Sequence, residues 1–246
     1  MNRNTEARPF SIQQILLYHL LPGIPMLLIA ILLSNPTWGF GLSIFLSLML
    51  AATFGLIPTL WLIMVFKARK DGIKTRDLIQ FTEKMPRLRI IVWALPCMVF
   101  ALLLFVFVAP IEHPLWTIFD WVPAWFRIDR FSQEGVDKIQ LLLIVILNFV
   151  VQGFFGPITE ECYFRGFLLP RMTRLGKAAP FANVVLFSLY HLFTPWENIT
   201  RILALTPYVY LVWRKKNIFV GMVTHCSLNV LSAIALLPSV LPLLIP

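Results

Sequence analysis

Phe154-Phe155-Gly156-Pro157-Ile158-Thr159-Glu160-Glu161-Cys162-Tyr163-Phe164-Arg165-Gly166-Phe167-Leu168-Leu169 sets two adjacent carboxylates inside a run that is otherwise almost all apolar. A carboxylate near the centre of a bilayer costs at least a few kcal/mol, so such a group usually marks a site and has a partner. The apolar stretch 139–157 precedes the pair, and a further apolar helix, 158–170, follows it directly. Gly153, Gly156 and Pro157 fall between the two, which predicts a long, bent or broken helix carrying Glu160, Glu161 and Arg165.

The composition around this run decides the class. Of 246 residues, 59% are hydrophobic and only 13% charged, with a mean hydropathy of +0.79. A soluble domain of this length needs far more charge to coat its surface. The expected fold is therefore all-α, a polytopic transmembrane helix bundle of about seven to eight spans. A span takes about 20 mostly apolar residues. Candidates are 12–33, 41–66, 90–110, 139–157, 180–195, 199–213 and 218–236, with the proline-interrupted residues 238–246 too short to span alone. Cys97, Cys162 and Cys226 all lie in apolar segments without CxxC spacing, which argues against a disulfide framework or a zinc ribbon. The first apolar run lacks a small-residue cleavage site and reads as a retained span. With no repeat and no soluble segment, 1–246 is one membrane domain.

The net charge of +9 does not indicate nucleic acid, since no basic, aromatic-interleaved soluble face exists to bind it. The basic residues sit instead in short loops. Residues 67–89 hold Lys67, Arg69, Lys70, Lys74, Arg76, Lys84, Arg87 and Arg89; Arg171, Arg174 and Lys177 form a second cluster; Arg214, Lys215 and Lys216 form a third. By the excess of positive charge on cytoplasmic loops, all three face the cytoplasm, with the amino terminus inside. Residues 110–138 carry Glu112, Asp120, Asp129, Glu134 and Asp137 against Arg127, Arg130 and Lys138, with Trp116, Trp121 and Trp125. That segment reads as an extracytoplasmic interfacial loop. The short chain without targeting extensions suggests a prokaryotic inner membrane.

Three polar groups fall inside the second half. Glu161 and Arg165 are four apart, acid first, and can pair on one helix face, while Glu160 points about 100° away from that face. His191 follows Phe187 by one turn, and Asn229 follows His225 by one turn. At about 1.5 Å per helical residue, Glu160 lies about 16 Å from Arg171, His191 about 16 Å from Pro180 and His225 about 13 Å from Lys216. Three stretches thus bring an acid and two imidazoles to one depth. Taken singly, an ion pair or a histidine is interhelical glue; together, with an unpaired carboxylate, they point to a reactive site. Cys162 and Cys226 read as packing residues, and His19 and His113, near span ends, as interfacial ones.

These groups resemble the motifs of the CAAX-protease and bacteriocin-processing (CPBP, or Abi) family of intramembrane proteases. Its Glu-Glu-x-x-x-Arg, Phe-x-x-x-His and His-x-x-x-Asn segments stand here as Glu160-Glu161-Cys-Tyr-Phe-Arg165, Phe187-Ser-Leu-Tyr-His191 and His225-Cys-Ser-Leu-Asn229, in order. The resemblance covers 139–236. It implies hydrolysis of a peptide bond in a membrane-embedded or lipid-anchored protein or peptide (CAAX-like, C-terminal-anchor or bacteriocin-type). Glu160 would activate water with the help of His191, His225 and Asn229 would donate to the oxyanion, and Glu161, Arg165 and Phe187 would support them. The chemistry agrees: desolvation makes a carboxylate a better base, and donors fixed in a dry cavity stabilise developing charge strongly.

Glu160, His191 and His225 are also a possible zinc set with one position open for water. No His-Glu-x-x-His segment occurs, and Asn229 is a poor zinc ligand but a good oxyanion donor, so a metal-independent glutamate protease is favoured. The alternatives are a non-enzymatic immunity or partner protein on the same scaffold, and a transporter or proton relay. Transport leads one to expect repeats and access to both faces.

Overall fold

The computed structural model describes residues 8–133 and 135–244, so Glu134 of the acidic loop and the last two residues lie outside the description. The architecture is helical, and the only β-type pairing among the described residues is an isolated bridge between Thr82 and Asn217. Among the described residues, the seven longest helical elements are, in order, α1 (Ile12–Ser34), α2 (Ile44–Asp71), α3 (Arg87–Glu112), α4 (Lys138–Arg171), α5 (Ala179–Leu189), α6 (Asn198–Lys215) and α7 (Ile218–Leu244).

Among the described residues, five helical stretches are long and apolar enough to cross a membrane: α1, α2, α4, α7 and the stretch Arg87–Phe119 that begins with α3. Their outward side chains are apolar rather than charged. On α3, Leu88, Val92, Leu95, Val106 and Phe107 are all more than half exposed. A soluble protein does not leave so large an apolar surface uncovered, whereas lipid tails cover it without penalty. The chain is an integral membrane protein.

The expected spans 180–195 and 199–213 take another form. α5 has 11 residues, about 16 Å of helix, and cannot cross a hydrocarbon core of about 30 Å. The chain leaves the helix at Tyr190 and turns tightly, with Leu192 N bonded to Tyr190 O at 2.8 Å and Thr194 N to His191 O at 3.0 Å. α6 is long enough, but Thr200, Arg201 and Thr206 lower its apolar content, and it is not among the five.

α4 forms the axis of the bundle. Every residue from Thr159 to Met172 is buried, and α1, α2, α6 and α7 all pack on it. Of the long, bent or broken helix expected around Gly153, Gly156 and Pro157, the long continuous form is the one present, with a local widening in place of a break. Asn148–Phe155 and Glu161–Leu168 are π-helical and the chain stays helical from Lys138 to Arg171. A wider turn makes room for the Pro157 ring and for the missing N–H without ending the helix.

Side chains cap the helices at both ends of the bundle. Ser11 and Gln14 form a reciprocal cap on α1. Glu112, from the end of α3, accepts from Ile199 N at 2.9 Å and Thr200 N at 3.1 Å, neutralising free donors at the start of α6. At the opposite end, Asn217 Oδ1 accepts from Phe219 N at 3.0 Å and Val220 N at 3.3 Å and so caps α7.

The loop between α2 and α3 tucks under that same end. Gln80 N bonds to Gly166 O at 2.8 Å, Ile218 N to Phe81 O at 2.7 Å and Glu83 N to Lys216 O at 3.0 Å. Arg171 Nη1 donates to Leu78 O at 3.1 Å, and Phe10 N bonds to Arg171 O at 2.9 Å. The three basic clusters and the start of α1 therefore meet at one end of the molecule.

Candidate active site

Glu160 sits in mid-bundle on α4, 7% exposed, at the junction between its last α-helical turn and a π-helical stretch. Its Oε1 accepts a hydrogen bond from the Tyr190 hydroxyl. Its Oε2 lies 3.7 Å from His225 Nε2. That separation is too long for a hydrogen bond, so this oxygen is the less engaged of the two.

Glu161, one residue on, has a different set of partners. Its Oε1 accepts from Tyr208 Oη at 3.0 Å, faces His225 Nδ1 at 3.2 Å and lies 3.6 Å from Arg165 Nε. The other oxygen presses on α7 where the side chain is absent: a Cβ on Gly221 would stand 2.3 Å from Glu161 Oε2. Glu161 and Arg165 thus form the expected pair, and Glu160 lies outside it. A fully buried ion pair persists only with further hydrogen bonds. Here Arg165 Nη2 donates to Tyr208 Oη at 2.9 Å, and its guanidinium carbon stands 4.0 Å over the Phe187 ring. Phe187 is therefore the aromatic floor under the cation.

The same ring touches both imidazoles, His191 at 4.9 Å and His225 at 6.1 Å between ring centres. His191 lies not on a span but on the turn just past α5. Its Nδ1 is 2.8 Å from the Phe187 carbonyl oxygen, an acceptor only, which assigns the proton to Nδ1 and leaves Nε2 as an acceptor in the neutral ring. The ring packs on Tyr190, with centres 4.2 Å apart. By the same argument His225 donates from Nδ1 to Glu161, and its Nε2 is the atom turned toward Glu160. Asn229 lies one turn along α7 and donates from Nδ2 to the Gln152 carbonyl at 2.8 Å, within the wide part of α4.

His19 departs from the expectation of an interfacial residue. It is fully buried, donates from Nδ1 to Ile15 O at 2.7 Å and accepts on Nε2 from Asn183 Nδ2 at 3.0 Å. Asn183 also bonds Phe164 O at 3.0 Å, so the pair ties α1 and α5 to the centre of α4. His113 is exposed and lies against Trp116 in a tilted arrangement, ring centres 4.2 Å apart.

Tyr190, Tyr208 and Gly221 were not legible as site residues. Both tyrosines stand in apolar runs, where they read as packing, although Tyr190 adjoins His191 and a buried tyrosine hydroxyl needs an acceptor. No group of three or more His, Cys, Asp or Glu side chains that could hold a metal ion exists among the described residues. Glu160, His191 and His225, the zinc alternative, do not form such a set.

The fold and the site together define a helical integral-membrane protein with a buried carboxylate–imidazole centre. Residues 142–231 match the family model of Rce1-like proteins, described as type II CAAX prenyl endopeptidase Rce1-like. The match lies within the segment 139–236, and it is similar in kind to the CAAX-protease family that the three motifs resemble. No curated protein and no solved structure matches the chain.

Proposed function

We propose that the protein is an intramembrane endopeptidase of metal-independent glutamate type, cleaving a peptide bond close to a lipid-anchored, CAAX-like chain end. The observation that carries this reading is the split between the two carboxylates. Glu161 is matched by a cation and two donors, whereas Glu160 keeps one oxygen turned toward His225 Nε2 at 3.7 Å.

In this scheme Glu160 Oε2 takes a proton from water, and the resulting hydroxide adds to the scissile carbonyl carbon. His225, held by Glu161 through Nδ1, acts as the imidazolium, whose second N–H, on Nε2, donates to the new oxyanion. The second amide hydrogen of Asn229 is available to the same oxygen. His191 Nε2 accepts from the attacking water and helps aim it. When the tetrahedral intermediate collapses, the C–N bond breaks and Glu160 returns its proton to the leaving amine. Donors aimed at developing charge in a water-poor site are worth far more than in bulk solvent.

The basic end supports an orientation. Its three cationic clusters suit the cytoplasmic face, and Glu160 lies about 16 Å of helix from Arg171, a depth that an extended chain end tethered by an apolar group can reach. The substrate class comes from the family, whose described members are prenyl endopeptidases.

Purified protein in phospholipid vesicles, given a farnesylated peptide ending in a CAAX sequence, should release the terminal tripeptide. Glu160→Gln should lower that rate about 10²–10⁴-fold while the protein stays folded and inserted. Chelation of divalent metals should leave the wild-type rate unchanged. Full activity in the Glu160 variant removes the assignment, and loss on chelation with recovery on zinc replaces the metal-free scheme.

A further inference from the structure

We propose that Tyr190 is a positioning residue that sets Glu160 apart from its neighbour, by pinning one carboxylate oxygen and leaving the other to act. The inference rests on the role given to Glu160 above. Glu160 and Glu161 are chemically identical and consecutive on α4, so only their partners can assign them different tasks. Each has its own buried tyrosine. Tyr208 from α6 reaches Glu161 Oε1 at 3.0 Å, and Tyr190 from the turn after α5 reaches Glu160 Oε1. A carboxylate only accepts, so each hydroxyl donates. The remaining partners diverge: Arg165 and His225 Nδ1 go to Glu161, while Glu160 Oε2 has His225 Nε2 at 3.7 Å. Glu161 is thereby a neutralised anchor, and Glu160 a carboxylate with one oxygen held.

Tyr190 is built to hold that oxygen still. Its side chain is completely buried, with ring centres 4.9 Å from Phe164, 5.3 Å from Phe187 and 4.2 Å from His191. Its backbone is fixed as well. Tyr190 N bonds to Leu186 O at 3.0 Å, and α1 closes on its carbonyl so tightly that a Cβ on Gly23 would stand 2.2 Å from that oxygen. A hydroxyl held on both sides pins the rotation of the Glu160 carboxylate plane. Oε2 then stays in line with His225 through each turnover, and a displacement of about 1 Å at a reacting group can cost a hundredfold in rate.

A purely structural tyrosine predicts something else: loss of the hydroxyl would loosen the fold and leave turnover per folded molecule unchanged.

Two measurements on the full chain in detergent micelles test this. The first is independent of substrate. A 3-fluorotyrosine label at position 190 should change its fluorine resonance on Glu160→Gln, and the same label at position 208 should not. A label at 190 that is indifferent to Glu160→Gln overturns the contact, and with it the proposal.

The second uses the farnesylated CAAX peptide. Tyr190→Phe, which keeps the ring, should lower kcat about 10–100-fold with KM within about twofold, at unchanged thermal stability. In a Glu160→Asp background, whose shorter side chain has already lost the bond, the same substitution should add little. An unchanged kcat, or a loss that adds in full to that of Glu160→Asp, overturns the positioning role. If wild-type protein leaves the peptide intact, the peptidase reading fails while the fluorine shift still decides whether Tyr190 holds Glu160.

Discussion

Glu161 shows how a single side chain can be both costly and necessary. A charge taken out of water is tolerable only when the pocket supplies its partners, and Tyr208, His225 and Arg165 do so within 3.6 Å. The pocket is also closed sterically, because α7 approaches through a bare backbone position. Gly221→Ala would place a methyl carbon 2.3 Å from Glu161 Oε2 and 3.1 Å from its Cδ. The carboxylate cannot yield without leaving Tyr208 or His225. Gly221→Ala should therefore destabilise the protein by about 1–3 kcal/mol and cut turnover per folded molecule, read by thermal unfolding in detergent beside a peptide-cleavage assay. At Gly153 the nearest atom to an added methyl is the end of a valine side chain, Val230 Cγ2 at 3.2 Å. That side chain can shift, so the milder effect there is the comparison.

At the scale of elements, the site depends on helices that depart from regularity where they are needed. α4 widens around Gln152, and the carbonyl there finds a donor in Asn229 of α7. π-helical turns of this kind recur at functional sites because they redirect a few side chains without ending the helix. α5 stops short of crossing, which brings Tyr190 and His191 to the level of Glu160. α7 is set in register by the residue that precedes it. Asn217 is fully buried, caps the helix through Oδ1 and donates from Nδ2 to Glu83 O at 2.6 Å, tying the basic loop to the helix that carries His225. Asn217→Ala should cost about 1–2 kcal/mol of stability, seen as a lower melting temperature and faster proteolysis in the 72–86 loop. An unaltered melting temperature would mean that the cap contributes nothing to the bundle.

Over the whole molecule, charge separates by end. The 72–86 loop, Arg171, Lys177 and Lys216 gather where Phe10 meets Arg171, whereas Arg127 is paired with Asp129 at 2.6 Å and stacked over Trp196 at 4.8 Å at the far end. If the basic end is cytoplasmic, cysteines introduced at Thr75 and Lys215 should resist a membrane-impermeant thiol reagent applied to intact cells and react once the membrane is opened. Ready labelling from outside would reverse the orientation. Much of this plan was legible beforehand, because a helix in lipid must be long, apolar and flanked by charge, and each of those properties is local. The shortfall came at 180–195, where an apolar stretch of spanning appearance folds back within the bundle. Composition does not distinguish a helix that crosses from one that stops in mid-membrane when the turn is sheltered by neighbouring protein.

The local chemistry of the chain was enough to place the class, the long apolar helices and an acid–imidazole group at one depth, since hydropathy and rise per residue act over short distances. It was not enough to say what each carboxylate binds. Tyr190 is 30 residues from Glu160 along the chain, Tyr208 is 47 from Glu161, and His225 is 64 from Glu161. Those bonds exist because α5, α6 and α7 pack on one central helix at particular rotations, a property of the assembled bundle that no stretch of its sequence carries alone.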